Sequence, residues 1–217
     1  MTDNESRIIS VDELINNRRS IRKYKADMPP LQWIDKMIEC AVKAPSPSNS
    51  QPVRFIRISS RKSKKDLYQA ISSNRQKLLE SVLAADKPKR LRNWINTYYR
   101  FSEFMFNAPL LFAIGTILPS TGFSSRLPEA NLLKEYSRNE TDKDISVGLA
   151  LKGFILKGEA IGLGSCILTA PFYFVSDVEK ILNIKDIRIK CFVTVGFPDE
   201  KPRSIKRKPV SEVYWEI

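Results

Sequence analysis

The chain has 217 residues, 42% of them apolar and 28% charged, which fits one well-buried domain and excludes a disordered chain. It contains no histidine, so Ser-His-Asp triads, Cys-His pairs and histidine zinc sites are excluded; three scattered cysteines, Cys40, Cys166 and Cys191, lack thiolate metal spacing, and no metal site is expected. The net charge of +12 favours anionic partners, but its clusters, Arg61 to Lys65, Lys87 to Arg92 and Lys201 to Lys208, are spread and accompany no nucleic-acid motif, the pattern of a solvated surface.

The N-terminal stretch MTDNESRIIS has acidic residues and no apolar core, unlike a secretory signal. With three unpaired-looking cysteines, this points to a reducing cytoplasm. Ser10-Val11-Asp12-Glu13 has the form of a capping box and predicts a short helix running into Arg18-Arg19-Ser20. Pro29-Pro30 opens a second helix, with Leu31, Ile34, Met37, Ile38, Ala41 and Val42 at helical spacing. Pro45 and Pro47 end it, Ser46 to Gln51 is loop, and Val53 to Ser59 reads as a strand. Residues 64–107 read as helical. Their aromatics (Trp94, Tyr98, Tyr99, Phe101, Phe104, Phe106) are expected in the core. Ala108 to Leu118 reads as a buried strand, and the apolar run there is too short to span a bilayer.

Residues 119–142 are polar, with Pro, Gly and Ser, and read as a long loop or lid. Asp144 to Leu163 is a largely apolar helix closed by Gly162 and Gly164. Ser176-Asp177-Val178-Glu179 forms a second capping box before a helix ending near Leu182. Alternation from Ile189 to Phe197 marks a further strand, and the tail after Pro198 is basic and extended. Helices and strands alternate irregularly in one α+β domain spanning 1–217. With no histidine and no metal cluster, an organic cofactor is expected to carry any chemistry.

Two segments suit a phosphorylated heteroaromatic cofactor. Arg18-Arg19-Ser20-Ile21-Arg22 offers guanidinium forks and a hydroxyl at a helix end, the donors that match a phosphate. Pro45-Ser46-Pro47-Ser48-Asn49-Ser50-Gln51-Pro52 is a proline-pinned loop whose Asn49 and Gln51 carry both donors and acceptors, suited to a heteroaromatic ring edge. Taken alone, the arginine segment reads equally well as a solvated basic patch, and the loop reads better as an ordinary turn. Gly162-Leu163-Gly164 closes a helix and lacks a third glycine, so it is no dinucleotide fingerprint.

In this order, and followed by Gly162-Leu163-Gly164-Ser165-Cys166-Ile167, Val195-Gly196-Phe197-Pro198 and Lys206-Arg207-Lys208-Pro209, the chain resembles the FMN-dependent nitroreductase family. The resemblance covers nearly the whole chain. It implies a nitroreductase-like fold: a mixed central β-sheet flanked by helices, in an intertwined homodimer whose C-terminal tails are exchanged. It implies that Arg18, Ser20 and Arg22, with Arg19 beside them, hold the phosphate and pyrimidine side of FMN. Arg207 is then a second phosphate clamp. Pro45, Ser46, Asn49 and Gln51 come from the neighbouring subunit, and Ile167, Leu168 and Thr169 pass the flavin N5 edge.

Pro47 stands where many relatives have glycine, and Thr169-Ala170-Pro171 replaces a glycine-containing turn. Residues 64–143 match no subfamily and shape the substrate pocket. The implied activity is ping-pong: NADH or NADPH as co-substrate reduces flavin N5, and a small-molecule electron acceptor such as a nitroaromatic or quinone takes the electrons. No catalytic side chain is required. The rivals are a specialised flavin relative, dehalogenase-like or flavin-fragmenting, and a basic nucleic-acid-binding protein without catalysis.

Overall fold

Ser10 starts the first helix as its spacing predicts. In the computed structural model, which describes residues 10–84, 87–118, 126, 130, 131 and 139–217, its hydroxyl accepts from the Glu13 N–H at 3.1 Å. The Glu13 carboxylate answers by accepting from the Ser10 N–H at 3.0 Å, completing the box. Helix α1 spans Val11–Asn17 and closes when the Arg18 N–H donates to the Leu14 carbonyl at 3.0 Å.

Helix α2, Leu31–Val42, turns Ile34, Met37 and Ala41 inward and leaves Leu31 and Val42 exposed. Strand β1 is Val53–Arg57, two residues shorter than the expected strand. Helices α3 (Arg61–Ser81) and α4 (Pro88–Glu103) supply the expected helical stretch, and strand β2 is Leu110–Ile117. The expected lid over 119–142 falls mainly outside the described residues. Its last four positions are helical, because α5 is Asn139–Ala160 and begins before Asp144 with Glu140 and Asp142 in its first turn. Gly162, at φ 82°, ends it, with the Leu163 N–H donating to Gly158 O at 2.8 Å.

One strand is added and one local reading is corrected. Gly164–Leu168 is a strand, β3, which no alternation marks. The second capping box does not form: helix α6, Val178–Ile181, has Asp177 at its N-cap without a side-chain bond. The Glu179 carboxylate accepts instead from the Ile189 N–H at 2.8 Å, tying α6 to strand β4, Ile187–Gly196.

The four strands lie in the order β1-β2-β4-β3, each neighbouring pair antiparallel. The sheet is mixed only through an isolated parallel bridge, Ser20 to Ser165, which lays the segment after α1 along β3. Alternation along β2 separates two cores. Leu110, Phe112 and Ile114 pack with α2 and α5; Leu111 and Ala113 pack with α3, α4 and Phe192. A register shift opposite Ile114 and Gly115 leaves Lys190 as an extra residue in β4, so Cys191 joins the first core and Ile189 the second. No described helix is long and apolar enough to cross a membrane.

Candidate functional site

The arginine segment is held on β3 by backbone. The Ile21 N–H donates to Ser165 O at 3.0 Å beside the Ser20–Ser165 bridge. Gly164 permits this approach, since a Cβ there would fall 2.5 Å from Ile21 Cγ1. From the other side the segment meets the start of the tail. Lys25 N–H donates to Phe197 O at 2.9 Å, Asp199 N–H donates to Lys23 O at 3.0 Å, and Tyr24 bridges Pro198. One carboxylate oxygen of Glu200 accepts from the backbone N–H groups of both Arg22 and Lys23. Below it, the Tyr24 hydroxyl lies 2.7 Å from Thr194 Oγ1. Burial pushes that phenol well above its usual range, so it stays neutral.

Held in this way, Arg22 lines an open cleft of about 180 Å³ with Phe101, Phe104 and residues Cys166, Ile167, Leu168, Thr169 and Ala170. Ile167 is 41% exposed, on the outer face of an edge strand. Beyond the Ser20 bridge that edge has no strand partner among the described residues, which leaves backbone groups of β3 outside the sheet ladder on the edge away from β4. Burial raises the Cys166 thiol, against the opposing pull of Arg22, the Ser20 hydroxyl and Arg18, which favours its protonated form. Arg18 and Arg19 lie near Glu159, whose carboxyl burial pushes up while the two arginines draw it down. The Arg19 guanidinium is committed to the end of α1, donating to Asn16 O at 2.6 Å and Arg18 O at 2.9 Å. The structure therefore gathers Ser20, Arg22, Ile167, Leu168 and Thr169, with Arg18 at one side, and turns Arg19 to capping the helix end.

Pro45, Ser46, Asn49 and Gln51 form a second place. Pro47–Asn49 is a single 3-10 turn, and Ser48, Asn49 and Gln51 all have positive φ, at 52°, 51° and 43°. Three non-glycine residues in that region within four positions store backbone strain, a feature that clusters at ligand sites. The loop is pinned from within: Ser46 Oγ accepts the Gln51 N–H at 2.9 Å, and Gln51 Nε2 donates to Asn49 Oδ1 at 3.1 Å. Together with Val42, Arg54, Ser146 and Ala150 it borders a pocket of about 290 Å³.

The two places lie at opposite edges of the sheet. Ile167 is level with Val193, Phe112 and Arg57 across the strands, while Gln51 precedes Val53 beyond the other edge. Three inter-strand spacings, about 14 Å, separate the edges before the offset along the strands is counted. Arg207 lies apart from both, in the exposed tail.

The aromatic stretch is only partly core. Tyr99 is buried, whereas Trp94, Tyr98 and Phe101 are exposed, because α4 is amphipathic and turns these three away from α3. Sequence reasoning missed Glu200, Phe101 and Phe104. Glu200 follows Pro198 in a basic tail, where a lone acid is a weak signal; Phe101 and Phe104 sit in an aromatic run that reads as packing.

Residues 15–197 match the sequence profile of the nitroreductase family, most of the chain and every residue lining the cleft. The chain belongs to the nitroreductase family. As a nitroreductase-family member it is 29% identical to the iodotyrosine deiodinase of Thermotoga neapolitana, over 88% of this chain and 90% of that protein. Among solved structures it resembles a BluB-like flavoprotein from Clostridium difficile 630, with a TM-score of 0.77 at 24% identity over 96% of this chain and 99% of the other. It also resembles an oxidized iodotyrosine deiodinase bound to FMN and 3-iodo-L-tyrosine, with a TM-score of 0.62 at 25% identity, covering 92% of this chain and 96% of that one. Within this nitroreductase-family chain, the profile spans both the arginine segment and the 45–52 loop.

Proposed function

We propose that the protein is an FMN-dependent oxidoreductase that takes electrons from NADH or NADPH and passes them to an organic acceptor. The observation that carries this reading is Arg22 in a cleft against the open edge of β3. The donors suit FMN. A guanidinium fork matches a terminal phosphate, and paired backbone N–H and C=O groups match the pyrimidine edge of the ring. Bound FMN supplies the two-electron chemistry. The chain's own residues would do the rest: Ser20 and Arg22 would anchor the phosphate, Ile167 to Thr169 would orient the ring, and the arginines would set positive charge beside its pyrimidine side. No acid or base is asked of a side chain, consistent with a sequence that has no histidine.

The loop from Pro45 to Gln51 completes the site from a second copy of the chain, since within one chain it lies at the wrong edge of the sheet. Arg207 reaches the phosphate through the same exchange, its tail crossing to the partner.

A second reading, reductive removal of halogen from an aromatic, is favoured by the iodotyrosine deiodinase relative and by the solved deiodinase structure. Turnover of 3-iodo-L-tyrosine against a nitroaromatic by the same holoprotein separates the two. The common claim is tested by denaturing the purified protein and chromatographing the released flavin. FMN is the expected result; FAD, or no flavin even after reconstitution, contradicts it.

A further inference from the structure

Helix α4 has a face that the fold does not use. Trp94, Tyr98 and Phe101 stand at i, i+4 and i+7 and are 50%, 43% and 43% exposed. Tyr173, 65% exposed, comes from the turn after β3 and packs on Tyr98 with ring centroids 4.9 Å apart. A single exposed ring needs no explanation, but a contiguous row of four does. The row is closed at both ends by cations. The Arg90 guanidinium lies 4.6 Å from the Trp94 ring centroid, and that of Arg22 lies 5.8 Å from Phe101.

The row is continuous with the cleft already described, because Phe101 lines that cleft together with Arg22, Ile167 and Thr169. Seven residues of helical rise separate Trp94 from Phe101, about 10 Å, the length of two linked aromatic rings. Charge selects the ligand further. Helix α4 carries Lys89, Arg90, Arg92 and Arg100 against a single acid, Glu103, and Glu103 accepts from the buried Tyr99 hydroxyl at 3.4 Å instead of facing the row.

We propose that this row is the acceptor subsite and that it takes a two-ring aromatic anion, a carboxylate or phenolate. The ring lies against Tyr98 and Trp94, the anionic group faces Arg90, and the reacting end points past Phe101 into the cleft. The assignment rests on the reading of that cleft as the flavin site.

The test uses FMN-loaded full-length protein, with 4'-nitrobiphenyl-4-carboxylate as probe and neutral 4-nitrobiphenyl as its control, and follows binding by calorimetry and by the shift in flavin absorbance. Tyr98→Ala is expected to weaken the carboxylate probe about five- to tenfold, and Tyr98→Phe, which keeps the ring, to restore it. Arg90→Gln is expected to abolish the preference for the carboxylate over its neutral control. FMN affinity and thermal stability should stay at the unmutated level in all three. Protein that takes up no FMN overturns the flavin reading and this subsite with it. FMN-loaded protein whose probe affinity ignores Tyr98→Ala and Arg90→Gln overturns the subsite alone. So does a Tyr98→Ala variant that loses only self-association, or only NADPH binding, since either would assign the row to another occupant.

Discussion

Glu200 places a carboxylate beside the residue meant to attract a phosphate, which is costly for anion binding unless the carboxylate serves another purpose. Its geometry supplies that purpose, because one oxygen holds the backbone of Arg22 and Lys23 where the chain turns from sheet to tail. Glu200 is a positioning residue for Arg22. Replacing Arg22 by Ala removes a charge-assisted contact of about 1.5–3 kcal/mol, roughly tenfold to a hundredfold in FMN affinity, and Lys recovers part of it without the fork. Arg61→Ala, in the exposed first turn of α3, should leave the affinity unchanged. Flavin fluorescence titration at one salt concentration reads all three, and equal losses from Arg61 and Arg22 would reduce the site to diffuse electrostatics. For Glu200, Ala should weaken FMN by several-fold, while Gln, which keeps an acceptor oxygen, should bind at or above the unmutated level because the neighbouring negative charge is gone. If Gln and Ala weaken FMN alike, it is the charge and not the tether that matters, and the positioning role falls.

At the scale of elements, the first turn of α5 is clasped to the extra residue of β4. Lys190 Nζ lies 2.5 Å from Glu140 Oε2 and 2.9 Å from Asp144 Oδ1, and Lys143 Nζ lies 3.3 Å from Glu140 Oε1. The hydrogen bond from Lys190 draws the Glu140 carboxyl below its ordinary 4.5, with burial opposing. A depressed carboxyl stabilises the fold above its unfolded value and loses that contribution as pH falls through the folded one. Glu140→Gln should therefore lower Tm at neutral pH, and the gap to the unmutated protein should close below about pH 4.5. A gap that is the same at every pH would show that Glu140 acts without its charge.

The same elements show what a sequence can announce. Ser10 and Glu13 stand three residues apart and bond to each other, so a local motif is enough to find the start of α1. Ser176 to Glu179 has the same letters, but the Glu179 carboxylate is captured by Ile189, ten residues away, and no local pattern carries that information. Strand β3 goes unmarked because four of its five residues are buried, which erases alternation. The polar residues of the site are legible as donors. Their assembly is not, because it depends on which sheet edge each segment occupies, and the aromatic face of α4 is hidden among residues that look like core.

For the whole molecule, the surface of one chain is incomplete in a consistent way. Helix α5 buries Val147, Ala150 and Leu151 on one side and leaves Ile145 54% and Leu149 42% exposed on another. The pocket bordered by the 45–52 loop includes Ser146 and Ala150 of this helix, so the strained loop and the unused apolar face adjoin. The tail ends in Tyr214, Trp215 and Ile217, all exposed, an apolar segment that finds no place on its own chain. A second copy of the chain, as proposed, would account for each of these and would bring the two sheet edges to one flavin. The direct measurement is complementation between two defective chains. Arg22→Ala and the triple variant Ser46→Ala, Asn49→Ala, Gln51→Ala are each expected to bind FMN weakly. Unfolded together in equal amounts and refolded, they should form mixed dimers with one intact site each, so that about a quarter of all sites bind FMN at full affinity. Mixtures that bind no better than either variant alone would place the whole flavin site within a single chain and contradict the account.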